Sequence, residues 1–114
     1  MDSCIFCQIV AGTLPTDLIY QDEHVVGFRD LNPQAPTHCL FIPRRHIATL
    51  NDLQPEDAHL VGRLFNAARQ IAAQEGISAD GYRTVMNCNH AGGQSVYHIH
   101  LHLLGGRNMH WPPG

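Results

Sequence analysis

The chain has 114 residues, 44% of them hydrophobic and 15% charged, with a net charge of −3 when its histidines are neutral. A chain of this length is one domain by size and buries on the order of two-thirds of its unfolded surface, so its core needs no staples. Arg44-Arg45 is the only tight basic pair, no basic stripe interleaves with aromatics, and no apolar run reaches the ~18 residues of a membrane span, so neither nucleic acid nor membrane is an expected partner.

Nine histidines stand out in this composition. Histidine changes charge near neutrality, so such an excess points to chemistry. Cys4, Cys7, Cys39 and Cys88 lack the spacing of a secreted disulfide framework. The opening Met1-Asp2-Ser3-Cys4 lacks a charged segment and an apolar stretch, so no signal peptide is expected. The expected location is the cytoplasm, where a Cys pair binds metal or stays reduced.

In chain order, Leu18 to Gln21 and His24 to Arg29 are β-prone runs around Asp22-Glu23 and predict a hairpin. Cys39 to Ile42 is a continuous apolar run ended by Pro43, the pattern of a central strand buried on both faces. A long helix follows, with Pro55 in its first turn and Glu56 and Asp57 at its positive end. Leu60, Val61, Leu64, Phe65, Ala68, Ile71 and Ala72 give it one apolar face, and Gly76 marks its stop. Asp80-Gly81 predicts a turn and Tyr82 to Asn87 a strand. Gly92-Gly93 breaks the chain before a last strand from about Val96 to Leu103. Strands, one helix, then strands give an α+β fold with a mainly antiparallel sheet.

His98, His100 and His102 alternate with Ile99, Leu101 and Leu103. On a strand the imidazoles share one face, about 6–7 Å apart, and the aliphatics bury on the other, against the long helix. Upstream, Gly92-Gly93-Gln94-Ser95 offers backbone amides and side-chain donors to an anion. Donors beside a nucleophilic histidine suit a phosphoryl group. The competing assignments are a solvent-exposed polar strand face and a catalytic transition metal. No acidic partner in the segment orients such a metal.

Gln94 to Leu104 resembles the signature of the histidine-triad (HIT) family, His-x-His-x-His followed by two apolar residues. The tail Gly105 to Gly114 and the stretch Asp30 to His38 resemble its Hint branch, and the likeness spans about Cys4 to Gly114. It implies a single HIT domain over residues 1–114, with 105–114 as a C-terminal tail, and a sheet extended across a homodimer. It also implies purine nucleoside phosphoramidase activity, with hydrolysis of a P–N bond in nucleoside 5'-phosphoramidates and of some acyl-adenylates. The partner is then a purine nucleotide, an AMP or GMP derivative, and no cofactor is needed for catalysis.

By the same resemblance, His100 attacks the α-phosphorus and forms a nucleotidyl-histidine. A neutral imidazole has a lone pair for this near pH 7. His102 donates to a nonbridging oxygen or the leaving group, and His38 orients the nucleophile. Asn87, Gly93, Gln94 and Ser95 surround the phosphate, and Ser95 joins His100, His102 and His38 as a catalytic residue. Asp30 accepts from the ribose hydroxyls, as a carboxylate can from a cis-diol. Phe6, Ile9, Phe28, Leu31 and Leu40 wall the base, and Trp111 in the tail shapes substrate preference.

Cys4-Ile5-Phe6-Cys7 has the spacing of half a zinc site. In some bacterial HIT proteins, and in the related galactose-1-phosphate uridylyltransferases, two histidines complete such a pair. The matching residues are His46, in Pro43-Arg44-Arg45-His46, and His98. The resemblance thus implies structural zinc on Cys4, Cys7, His46 and His98. The alternative is a pair of reduced, metal-free thiols. Other functions weighed are a dinucleoside polyphosphate hydrolase of the Fhit type, a non-catalytic nucleotide-binding adaptor, and a zinc-binding regulatory module.

Overall fold

In a computed structural model, the structure describes residues 3–114. Met1 and Asp2, on which part of the signal-peptide expectation rests, lie outside the described residues. The elements run α1 (Ile5–Ala11), β1 (Leu18–Gln21), β2 (Val25–Arg29), β3 (Thr37–Pro43), α2 (Ala58–Gln74), β4 (Tyr82–Val85) and β5 (Leu101–Gly105). Short 3₁₀ turns sit at Leu50–Asp52, Pro55–Asp57 and His90–Gly92. The five strands form one sheet in the order β1-β2-β3-β5-β4, and every neighbouring pair is antiparallel.

The β1–β2 hairpin and the central strand follow the sequence pattern. All seven residues of β3 are buried, because each face of the sheet carries its own helix. On one face, Leu60, Leu64 and Ile71 of α2 pack on Phe41, Ile99, Leu101 and Leu103. On the other, Phe6 and Ile9 of α1 pack on Val26, Phe28, Leu40 and Ile42. Alternation along β3 and β5 thus sends the aliphatics towards α2 and leaves the histidine side facing α1.

Three expectations need correction. The last strand begins at Leu101, not Val96, and ends at Gly105. The cause is Pro43, which stands two residues beyond the Phe41–Leu101 pair. Proline has no N–H to continue the ladder. Ile99 N–H bonds Ile47 carbonyl instead, at 2.8 Å, so His98 and His100 lie just before the strand. On α2, Phe65 is 46% exposed and Val61 half-buried, whereas Ala67 is fully buried. The helix turns 100° per residue, so the residue after Leu64 leaves the stripe that the 3.6 period sets. Pro55–Asp57 is a 3₁₀ turn leading into α2, not its first α turn.

The N-terminal helix α1 was not foreseen. It is too short for periodicity to show. Cys4 starts it, with its Sγ accepting from Cys7 N–H at 3.4 Å, and Gly12 stops it in a left-handed conformation at φ 79°. Among the described residues, no helix is long and apolar enough to cross a membrane.

Candidate active site and metal cluster

A cleft of about 640 Å³ opens between α1, the loop to β1 and the histidine face of the sheet. Its walls include Phe6, Ile9, Phe28, Leu31 and Leu40, together with Asp30, Ser95, His100 and His102. These nine residues were singled out from sequence, and the fold brings them together. Phe6 joins the apolar wall to the histidines. Its ring meets Phe28 edge-on at 5.5 Å and His100 at 5.1 Å.

The hydrogen bonds fix which nitrogen of each ring carries the proton. His100 Nδ1 lies 2.9 Å from the His98 carbonyl. A carbonyl only accepts, so Nδ1 donates and, in the neutral ring, Nε2 keeps its lone pair. His38 Nδ1 accepts from Gln34 N–H at 3.0 Å. Its proton is therefore on Nε2, which lies 2.9 Å from His102 Nδ1 and 3.4 Å from Asp30 Oδ2. His102 Nδ1 then accepts, and the His102 proton sits on Nε2. That Nε2 is buried without a partner among the described residues. A buried unpaired donor is costly, so a ligand oxygen is its natural complement.

This network corrects one expectation. His38 does not hold the His100 ring; it bonds His102, and a backbone carbonyl holds His100. The rings of His100 and His102 are 5.0 Å apart, closer than strand spacing implies, because His100 precedes the ladder. The exposed-face assignment fails too, since His98 and His100 are buried.

Electrostatics agree with neutral rings. Burial pushes the His100 pKa down, against the pull of the His98 carbonyl and Asp30. Burial also lowers His38, opposed by Asp30. For His102, burial and then repulsion from His100 and His38 bring the pKa down to about 4.

An unfolded histidine titrates near pH 6.5. Above that value neither state binds the proton; below it the unfolded chain does and the fold resists. Stability is thus full above about pH 6.5 and falls towards pH 4. Lowering the pH from 7.5 to 5 should drop the unfolding midpoint by about 5 °C or more. His102→Gln should flatten that dependence. An equally steep loss in the variant would refute the assignment.

Other expected residues sit elsewhere. Gln94 is buried, and its amide is committed to the backbone. It donates to Ala48 and Val96 carbonyls at 2.8 and 3.1 Å and accepts from Asn89 N–H at 2.8 Å. Its side chain thus braces the loop instead of meeting a phosphate. Asn87 is half-buried and Gly93 takes a left-handed φ of 85°, and neither lines the cleft. Trp111 is 84% exposed and also outside it. The cleft adds Val96 from the signature stretch, and Leu14, Thr16, Asp17 and Ile19, which no motif reveals.

Cys4, Cys7, His46 and His98 form a second cluster, with all four ligand atoms within 4.8 Å of one another. His98 Nδ1 lies 3.4 Å from Cys4 Sγ, 3.5 Å from Cys7 Sγ and 3.2 Å from His46 Nδ1. Cys7 Sγ lies 3.3 Å from His46 Nδ1. Zinc–sulfur bonds of about 2.3 Å and zinc–nitrogen bonds of about 2.0–2.1 Å set tetrahedral edges near 3.5 Å for S–N and 3.3 Å for N–N. The four separations match. His98 Nε2 donates to Pro43 carbonyl at 2.8 Å, which leaves Nδ1 with its lone pair turned to the thiols. The donor set and its outer bond fit a metal ion. Pro43 therefore both ends the strand ladder and orients a ligand.

Residues 3–111 match the family described as "Scavenger mRNA decapping enzyme C-term binding". The chain is 53% identical over 108 residues to the purine nucleoside phosphoramidase of Escherichia coli K12, covering 95% of this chain and 91% of that protein. It is 49% identical over 112 residues to the 14 kDa zinc-binding protein of Zea mays, covering 96% and 87%. A HIT family hydrolase from Legionella pneumophila Philadelphia 1 superposes with a TM-score of 0.96 at 52% identity, covering 98% of this chain and all of that one.

Proposed function

Because this chain belongs to the histidine-triad (HIT) family, we propose that it is a purine nucleoside phosphoramidase, a hydrolase of the P–N bond in nucleoside 5'-phosphoramidates. The observation that carries this reading is His100. Its Nδ1 is tied to a carbonyl, which leaves Nε2 as a lone pair on a ring that lines the cleft. The 53% identity to a phosphoramidase supports it.

In this mechanism His100 Nε2 bonds to phosphorus as the scissile P–N bond breaks. The leaving nitrogen takes a proton that the Ser95 hydroxyl relays from solvent and departs as an amine; the water of the second step returns one proton to solvent. His102 Nε2–H donates to a nonbridging oxygen, and His38 holds His102 in that tautomer. Water then displaces His100, releasing the nucleoside monophosphate. One hard displacement becomes two easier ones. Asp30 receives the ribose hydroxyls, and Phe6, Ile9, Phe28, Leu31 and Leu40 enclose the base. Asn87 and Gly93 act through the loop that Gln94 braces.

Cys4, Cys7, His46 and His98 are the ligands of a zinc ion. With four protein ligands its contribution is structural, tying α1 to the segment that carries the triad. Metal-binding thiolates need a reducing compartment, which supports the cytoplasm. A homodimer is the proposed assembly. The open edge of β4 and the exposed Phe65, Tyr82 and Trp111 support that assembly. The single domain then continues past β5 as a tail whose Trp111 tunes substrate preference.

The discriminating experiment compares adenosine 5'-phosphoramidate with diadenosine tetraphosphate. Turnover of the phosphoramidate at a kcat/KM about 100-fold higher is the expected result; an inverted ratio would make the chain a dinucleoside polyphosphate hydrolase. A hundredfold corresponds to about 2.7 kcal/mol of transition-state preference.

A further inference from the structure

We propose that Asp17 selects the base, favouring guanine over adenine. The inference rests on the nucleotide reading above and adds a specificity residue to it.

One row of paired residues crosses the sheet. His102 pairs Leu40, Leu40 pairs Phe28, and Phe28 pairs Leu18. Neighbouring strands lie about 4.8 Å apart, so the row spans about 14 Å. Phosphorus must sit at the histidine end, because His100 attacks it there. The ribose and then the base extend along the row, over Leu40 and Phe28. The far end is Leu18, and the residue before it is Asp17.

Elimination leaves Asp17 as the polar group for the base. The titratable or polar residues along the cleft are Thr16, Asp17, Arg29, Asp30, Ser95, His100 and His102. The last four serve the ribose and phosphorus. The Arg29 guanidinium is bound by both oxygens of Glu75, at 2.8 and 3.1 Å. Thr16 Oγ1 donates to Leu14 carbonyl at 3.3 Å. The Asp17 carboxylate makes no hydrogen bond or ion pair among the described residues.

An ionised carboxylate only accepts. Guanine offers two adjacent donors, N1–H and the N2 amino group, which suit its two oxygens. Adenine offers one donor, its N6 amino group, beside the N1 lone pair, which repels an oxygen. Asp17 is exposed, so the preference falls at the lower end for a bidentate base contact, about five- to tenfold.

The test is competition between guanosine and adenosine 5'-phosphoramidates bearing the same amine. Wild type should favour guanosine about five- to tenfold in kcat/KM. Asp17→Asn should bring the preference near one, because an amide pairs equally with adenine N1 and N6 or with guanine O6 and N1. Asp17→Ala should bring the ratio near one. Asp80→Asn removes the same charge outside the cleft and should leave the ratio at the wild-type value. A ratio in Asp17→Asn unchanged from wild type overturns the proposal. If wild type hydrolyses neither substrate, the phosphoramidase reading fails separately. The GMP-to-AMP affinity ratio, measured by calorimetry on wild type and Asp17→Asn, then decides the role of Asp17 by the same loss of preference or its absence.

Discussion

Replacing His100 by alanine or asparagine should lower kcat for adenosine 5'-phosphoramidate by about 10⁴-fold or more, the scale set by removing a covalent nucleophile. The two variants separate chemistry from packing. His100 is buried against Phe6, so alanine leaves a gap. Asparagine retains a side-chain N–H able to reach the His98 carbonyl that now accepts from His100 Nδ1. It lacks the far edge of the ring and with it the Nε2 lone pair, and it leaves a smaller gap than alanine does. Equal losses in both, with unfolding midpoints near wild type for asparagine, place the effect on bond formation. Retained turnover in asparagine with loss in alanine would make His100 a packing residue.

The second large effect concerns the Cys/His cluster. Purified under reducing conditions, the protein should carry one zinc per chain. Stripping it with a chelator should lower the unfolding midpoint by about 10 °C or more, since a tightly held ion stabilises the fold by mass action. Cys4→Ser with Cys7→Ser should reproduce the loss. The same treatments should weaken turnover indirectly. Phe6 lies between the two thiols in sequence and packs against both His98 and His100. The His98 carbonyl also holds the His100 ring. A metal-free preparation whose midpoint ignores both chelator and serines would leave the four residues as a hydrogen-bonded cluster.

The sequence makes the hairpin, the central strand and the long helix legible because their patterns are local. Alternation also shows that the three histidines face away from Ile99, Leu101 and Leu103. The cleft's apolar wall came from family likeness, since nothing in the period of Phe6 or Phe28 tells a pocket from a core. Long-range partners were the least visible. No spacing rule announces that His38 bonds His102 rather than His100, because that depends on where β3 and β5 register. By sequence Gln94 is an expected phosphate donor, yet both its amide protons go to the carbonyls of residues 48 and 96. The early end of the β5 ladder follows from Pro43, a residue on a different strand. Asp17 lies in an irregular loop and joins the site through the pairing of Leu18 with Phe28.

The most direct test of covalent catalysis is intact-protein mass spectrometry after millisecond quenching with adenosine 5'-phosphoramidate, on wild type and His100→Asn. Wild type should carry a transient adduct of one AMP, mapped to His100 by peptide fragmentation, and the variant none. Wild-type turnover by His100→Asn, or an adduct mapped to another residue, would contradict it.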